Sequence, residues 1–261
     1  MLVISCSQDE IILPNKQNDT TLAPTSSWQA IDNGILFAKS HYSSVWKPLI
    51  FLLLLTGLLL TILLPEDYIQ LVVFIIWWLK PFYERLILGI YSECLTGSKI
   101  SFINSLRKLK NFTFGTSLWR DLTINRISLI RTFRLPVYQL EKQKGEAAKY
   151  RLRVLSPAAA NRAANLTFLA VHLEMLVSIT ILSMIWYLIP QEVGTGIFDG
   201  SFTGESYVFQ LATIFLYCIT LLILEPLYVA SGFNLYINKR VILEGWDIEI
   251  GFKNLVARIT N

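Results

Sequence analysis

Trp78-Leu79-Lys80-Pro81-Phe82-Tyr83 and Leu224-Glu225-Pro226-Leu227-Tyr228 decide how this chain is read. Each stretch closes a long apolar run with a charged residue followed by Pro. Each places a Tyr two residues after its Pro and another ten after it: Tyr83 and Tyr91 in the first, Tyr228 and Tyr236 in the second. Two runs that end alike suggest a duplicated membrane hairpin with an ionisable residue at depth. The competing explanation is that Pro and Tyr are common in membrane helices and at their interfaces.

Composition supports a lipid solvent. The 261 residues are 53% hydrophobic and only 16% charged, with a mean hydropathy of +0.49. Average soluble domains carry about 25% charged residues. Cys6, Cys94 and Cys218 are scattered, with no CxxC and no Cys/His cluster, so they point to neither a disulfide framework nor a zinc site. Val3-Ile4-Ser5-Cys6 is loosely similar to a lipoprotein cleavage box. No basic or apolar region precedes that Cys, and residues 1–27 read as a flexible polar tail.

Working outward, four apolar segments stand out: Pro48–Leu64, Tyr68–Tyr91 interrupted at Lys80-Pro81, Phe168–Ile189, and Tyr207–Tyr236 interrupted at Glu225-Pro226. A helix needs about 20 residues to cross a hydrocarbon core of about 30 Å. The first and third qualify directly. The second and fourth qualify if the helix continues through its Pro, which membrane helices tolerate when a neighbour satisfies the freed carbonyl.

Basic residues orient the segments. The connections after the first and third hold Glu66, Asp67, Glu192, Asp199 and Glu205 but no Lys or Arg. Of 23 Lys/Arg, sixteen fall in residues 80–166, three on the N-terminal flank and four in the C-terminal tail. The positive-inside rule then puts both termini in the cytoplasm. The expected fold is all-α: a four-span helical membrane protein built from two parallel hairpin repeats, residues 28–91 and 167–236, with a basic helical cytoplasmic region, 92–166, and a cytoplasmic tail, 237–261.

Within the basic region, Trp119–Leu135 predicts one amphipathic helix ended by Pro136. At 100° per residue Arg120, Arg131 and Arg134 share a face, opposite Trp119, Leu122, Leu129, Ile130 and Phe133, although Arg126 interrupts the apolar arc. Such a helix suits the anionic inner leaflet, and equally a packed cytoplasmic bundle. Trp119, Arg120, Arg131 and Arg134 are therefore candidate membrane-surface or partner contacts. Lys142–Arg153 reads as a solvated helix or linker. Ser156-Pro157 and the following Ala residues read as the start of the helix leading into the third segment.

Ionisable residues within membrane segments are functional candidates because charge is costly there. Here they are Lys80, Glu84, Arg85, His172, Glu174 and Glu225. Lys80 and Glu84 face each other if the helix is continuous. Lys80 and Glu225 occupy equivalent repeat positions, which predicts a cross-hairpin ion pair. His172 and Glu174, two apart, do not share a face. The set reads either as a polar cavity open to the cytoplasm or as structural ion pairs with snorkelling side chains. Asp121, Glu141 and Glu146 are acids of the basic region with nothing in the sequence to gather them. Glu244, Asp247 and Glu249 read as a solvated helix face rather than a metal site. GxSxG, P-loop, GxGxxG and HExxH patterns are absent, and His41 and His172 are the two histidines. The expectation is therefore no enzyme, no cofactor and no metal.

Ser27-Trp28-Gln29-Ala30-Ile31-Asp32 with Gly34, Phe74–Phe82 (FIIWWLKPF), Leu135–Glu141 (LPVYQLE) and Glu225–Glu249 (EPLYVASGFNLYINKRVILEGWDIE) together resemble uncharacterised multi-pass inner-membrane proteins of Gram-negative bacteria. Tyr236, Arg240, Glu244, Gly245, Asp247 and Glu249 are also similar, more loosely, to a pattern that follows the final span of membrane domains attached to some glycerophosphodiester phosphodiesterases. Neither resemblance carries over a catalytic residue. The first resemblance implies an accessory protein of the bacterial inner membrane, encoded near a MoxR-type ATPase and transglutaminase-like membrane proteins. The expected role is a non-catalytic assembly or scaffold partner. Its surroundings would be the bilayer with its anionic inner leaflet and other membrane proteins, not nucleic acid. The alternative is an oligomeric small-solute or lipid transporter with Lys80 and Glu225 in its path.

Overall fold

A computed structural model describes residues 24–95, 102–105, 107, 118–157, 159–188 and 207–245, and the secondary structure of these residues is helical throughout. The elements are α1 (Ser27–Ser40), α2 (Tyr42–Leu63), a short 3-10 turn (Glu66–Tyr68), α3 (Gln70–Trp78), α4 (Lys80–Leu95), α5 (Leu118–Leu122), a second 3-10 turn (Ile124–Ile127), α6 (Arg131–Gln139), α7 (Gly145–Leu155), α8 (Ala160–Leu188) and α9 (Tyr207–Glu244). Ser26 caps α1, its hydroxyl accepting from the Gln29 N–H at 3.2 Å.

α2, α8 and α9 are each long and apolar enough to cross a membrane. Their outward faces are apolar as well: Leu55, Leu58 and Ile62 on α2, Leu169, Met175 and Leu176 on α8, and Phe215 on α9 are all exposed. Contiguous exposed apolar surface of this kind is rare on soluble monomers and normal against lipid. By composition and outward face alike, this is a membrane protein.

The two proline sites behave differently. At Pro81 the helix breaks, with α3 ending at Trp78 and α4 starting at Lys80. Pro226 lies inside α9, which runs unbroken for 38 residues. A helical Pro frees the carbonyl four residues earlier. Both freed carbonyls find side-chain donors. The Tyr42 hydroxyl donates to Leu222 O at 3.1 Å, and Arg126 Nη2 donates to Trp77 O at 2.7 Å. The Arg126 guanidinium also stacks 4.0 Å from the centre of the Trp77 ring. A charged group wedged into the ladder is a known cause of a helix break.

The segments after the two prolines form the centre of the molecule. In α4, Lys80 to Tyr91 is buried except for partly exposed Phe82; in α9, Glu225 to Val241 is buried except for partly exposed Leu227, Asn234 and Lys239. The Tyr91 hydroxyl donates to Pro226 O at 3.3 Å and joins the two segments directly. α1, α6, α7 and α8 pack around this half of α9. Two glycines allow the closest approaches. A Cβ on Gly34 would lie 2.5 Å from Ser231 Cα, and one on Gly232 would lie 2.4 Å from Thr132 Cβ, so α1 and α6 meet α9 nearly backbone to backbone.

Three sequence expectations are corrected here. Trp119–Leu135 is not one amphipathic helix but α5, a 3-10 turn and the start of α6. The break follows from Arg126, whose guanidinium is committed to Trp77 instead of joining a surface face. Pro136 does not end the helix. It lies within α6, where Leu140 N–H still reaches Pro136 O at 2.8 Å. Ser156 closes α7, its N–H bonding Leu152 O at 2.8 Å, and also opens the turn that leads into α8, its carbonyl accepting from Ala160 N–H at 2.9 Å. α7 itself is not fully solvated, since Ala148, Leu152 and Leu155 are buried. The N-terminal tail to 23, the acidic connection 189–206 and residues 246–261 lie outside the described residues.

Candidate functional site

The break at Leu79 places Lys80 at the first position of a buried helix, and its side chain must find carboxylates. It finds two, from different helices. Lys80 Nζ lies 2.6 Å from Glu174 Oε2 on α8 and 3.0 Å from Glu225 Oε2 on α9. The Tyr217 hydroxyl donates to the other Glu174 oxygen at 2.8 Å. The ion pair anticipated between Lys80 and Glu225 is thus present as one arm of a three-helix contact. Lys80 and Glu84 do not pair with each other. Glu84, fully buried, faces Arg131 Nη2 of α6 at 2.5 Å.

One turn further along α4, Arg85 is fully buried and pairs with Asp121 of α5. Its Nε donates to Asp121 Oδ2 at 3.1 Å, and Asn125 Nδ2 donates to Oδ1 at 2.9 Å. Gln139 Nε2 caps the Arg85 carbonyl at 2.8 Å. The cluster therefore gathers four cations, Lys80, Arg85, Arg126 and Arg131, with four carboxylates, Glu84, Asp121, Glu174 and Glu225, all buried, and all but Arg126 in ion pairs. Its formal charge is zero. Burial works against charge on Arg131, but the facing Glu84, with Tyr228 and Glu225, outweighs it and holds that guanidinium above its usual range. Arg126 is drawn below its usual range by burial and by neighbouring Arg131.

The structure gathers Lys80, Glu84, Arg85, Glu174 and Glu225 and leaves His172 out. His172 is exposed, its ring bonded to Phe168 O at 2.8 Å, because a residue two positions from buried Glu174 falls on the other side of α8. Of the proposed surface contacts, Trp119 and Arg120 are exposed, whereas Arg131 is buried and Arg134 is partly buried against Ser128 and Tyr138. Arg131 is turned inward because Glu84 lies within. Asp121 and Arg126, read as ungathered or disruptive, belong to the cluster. Their signal was available as an excess of charge inside an otherwise amphipathic pattern.

A second, smaller network ties the sequence motifs together. Glu141 accepts from Arg151 Nη2 at 2.8 Å and from the Tyr236 hydroxyl at 2.6 Å, and Arg240 Nε donates to Glu244 at 2.8 Å. Arg151 also bonds Glu244. Its guanidinium is held above its usual range, chiefly by the Glu141 hydrogen bond.

The cluster leaves little space. The cavity beside Glu84, Asp121 and Arg131 measures about 10 Å³, room for about one water. Comparison with protein-family models, curated proteins and solved structures finds no match to this chain.

Proposed function

We propose that this is a non-catalytic, four-span scaffold of a bacterial inner membrane, in which the buried ionic cluster locks the helices together rather than forming a path. The observation that carries this reading is the close packing of the cluster: Lys80, Arg85 and Arg131 each face a carboxylate, Arg126 is held by Trp77, and the cavity beside Glu84, Asp121 and Arg131 measures about 10 Å³. A transport path would need an opening of at least solute size.

Chain parity supports four crossings. Asn238 pairs with the backbone of Thr25, donating to its O at 2.8 Å and accepting from its N–H at 3.0 Å. Arg162 stacks on Trp28 at 5.1 Å. Both ends of the chain between these contacts lie together, so the number of crossings between them is even. α2, α8 and α9 supply three, and α3 with α4 completes the fourth. The charge distribution favours the cytoplasm for both termini. The hairpin repeat is supported by matching bonds: Tyr83 pairs with Thr56 of α2, and Tyr228 pairs with Thr167 of α8, each at 2.8 Å and each to the long helix before it.

The surface offered to a partner is the α5 region, where Trp119 and Ile127 are more than four-fifths exposed beside Arg120. Purification from native membranes in mild detergent should yield a protein partner at fixed stoichiometry, reduced by Trp119→Ala with Arg120→Ala. In the same preparation Thr220→Cys, at a fully buried position, should resist a water-soluble thiol reagent from both sides. Labelling of that cysteine together with a bound solute and no protein partner would replace this reading with transport.

A further inference from the structure

We infer that the groove between α1, α2 and α9 binds one anionic phospholipid. The inference rests on the membrane placement of α2 and α9 proposed above and is independent of the scaffold role. The groove is open, has a volume of about 450 Å³ and is lined by Ile35, Lys39, Tyr42, Ile223 and Leu227.

Its shape follows from the local structure. Gly34 draws α1 against Ser231 of α9. Less than two turns later α1 ends at Ser40, and α2 starts at Tyr42. The two helices are interrupted at His41, and the groove lies beside this junction. Ile35 and Lys39 form one stripe of α1 and Ile223 and Leu227 one stripe of α9, each pair four residues apart and so on one face.

Its chemistry is selective. Ile35 and Ile223 are exposed apolar walls, continuous with exposed Leu36. Tyr42 donates its hydroxyl to Leu222 O. Among the described residues Lys39 is the single charged one that lines the groove, and no carboxylate does. An apolar slot with one ammonium at its rim, where a membrane helix begins, matches an acyl chain lying in the slot and a phosphate on the ammonium. A soluble polar ligand would find one hydrogen-bonding cation and otherwise hydrocarbon.

The test is native mass spectrometry of the full chain in detergent, titrated with phosphatidylglycerol or with phosphatidylcholine of the same acyl length. One phosphatidylglycerol should be retained in preference to phosphatidylcholine. Lys39→Ala should weaken that retention about five-fold, the scale of one basic residue at a lipid surface. Ile223→Trp, which fills the slot without touching charge, should abolish it, and Lys47→Ala should leave it unchanged. Lys39 is exposed, so its variant decides the matter even if Ile223→Trp folds poorly. Equal retention of the two lipids, or retention unaffected by Lys39→Ala, would mean ordinary surrounding lipid and overturn the site. Displacement by millimolar inorganic phosphate would also overturn it, in favour of a soluble ligand. A negative result here leaves the Thr220→Cys measurement untouched, so the two readings fail separately.

Discussion

At the scale of single residues, Lys80 is the side chain on which most depends. Its ammonium is shared by Glu174 and Glu225, and removing it leaves two carboxylates buried with one hydroxyl partner between them. Breaking a buried ion pair from one side costs roughly 3–5 kcal/mol, whereas neutralising all partners together is often close to neutral. Lys80→Met should therefore lower thermal stability in detergent by that amount. Lys80→Met with Glu174→Gln and Glu225→Gln should return to within about 1 kcal/mol of the parent. The exchange Lys80→Glu with Glu225→Lys should rescue poorly, because it sets the new carboxylate against Glu174; adding Glu174→Gln should restore it. If the triple variant melts no higher than Lys80→Met alone, the cluster is not an electrostatic lock. The Lys80–Glu225 contact could be read from the matching sequences around Pro81 and Pro226 because it needs only two equivalent positions. Glu174 as a third member could not, because nothing in a linear pattern says which face of α8 turns toward α4.

At the scale of elements, the long apolar helices are legible and their interruptions are not. Pro81 and Pro226 look alike in sequence, yet one ends a helix and the other does not. The difference lies in donors remote in the chain: Arg126 for Trp77 O and Tyr42 for Leu222 O. The same remoteness explains the misread segment Trp119–Leu135. Helical periodicity assigns Arg131 to a solvent face, but a buried Glu84 reverses the sense of that face. The role of Tyr42 can be checked by a double-mutant cycle. Tyr42→Phe leaves a carbonyl without its donor, which costs about 1–3 kcal/mol when buried. Pro226→Ala supplies a backbone N–H to the same carbonyl, so in that background Tyr42→Phe should cost appreciably less. Additive losses in thermal unfolding would show that Tyr42 stabilises α9 by packing and not by capping Leu222.

For the whole molecule, the decisive question is whether α3 and α4 return the chain across the bilayer. α3 alone spans about 14 Å, less than half a hydrocarbon core, and α4 adds about 24 Å beyond the break. Together they are long enough, although the break hides them from any search for one continuous span. The charge asymmetry on which the proposed orientation rests was legible because Lys and Arg counts need no geometry. The closed ionic centre was not, because it joins residues from α3–α4, α5, α6, α8 and α9 that no local pattern relates. Four crossings require the turn at Glu66–Tyr68 and helix α7 to lie on opposite sides. In a background with the three native cysteines replaced by Ala, Asp67→Cys and Lys149→Cys, both at exposed positions, can report this. An impermeant maleimide applied to intact spheroplasts should label Asp67→Cys and leave Lys149→Cys unlabelled until the membrane is opened. If both label from outside, or neither does, α3 and α4 fold back without crossing. The contacts of Thr25 with Asn238 and of Trp28 with Arg162 would then require one of the long helices to lie out of the membrane as well, because the parity those contacts impose holds for the chain as a whole.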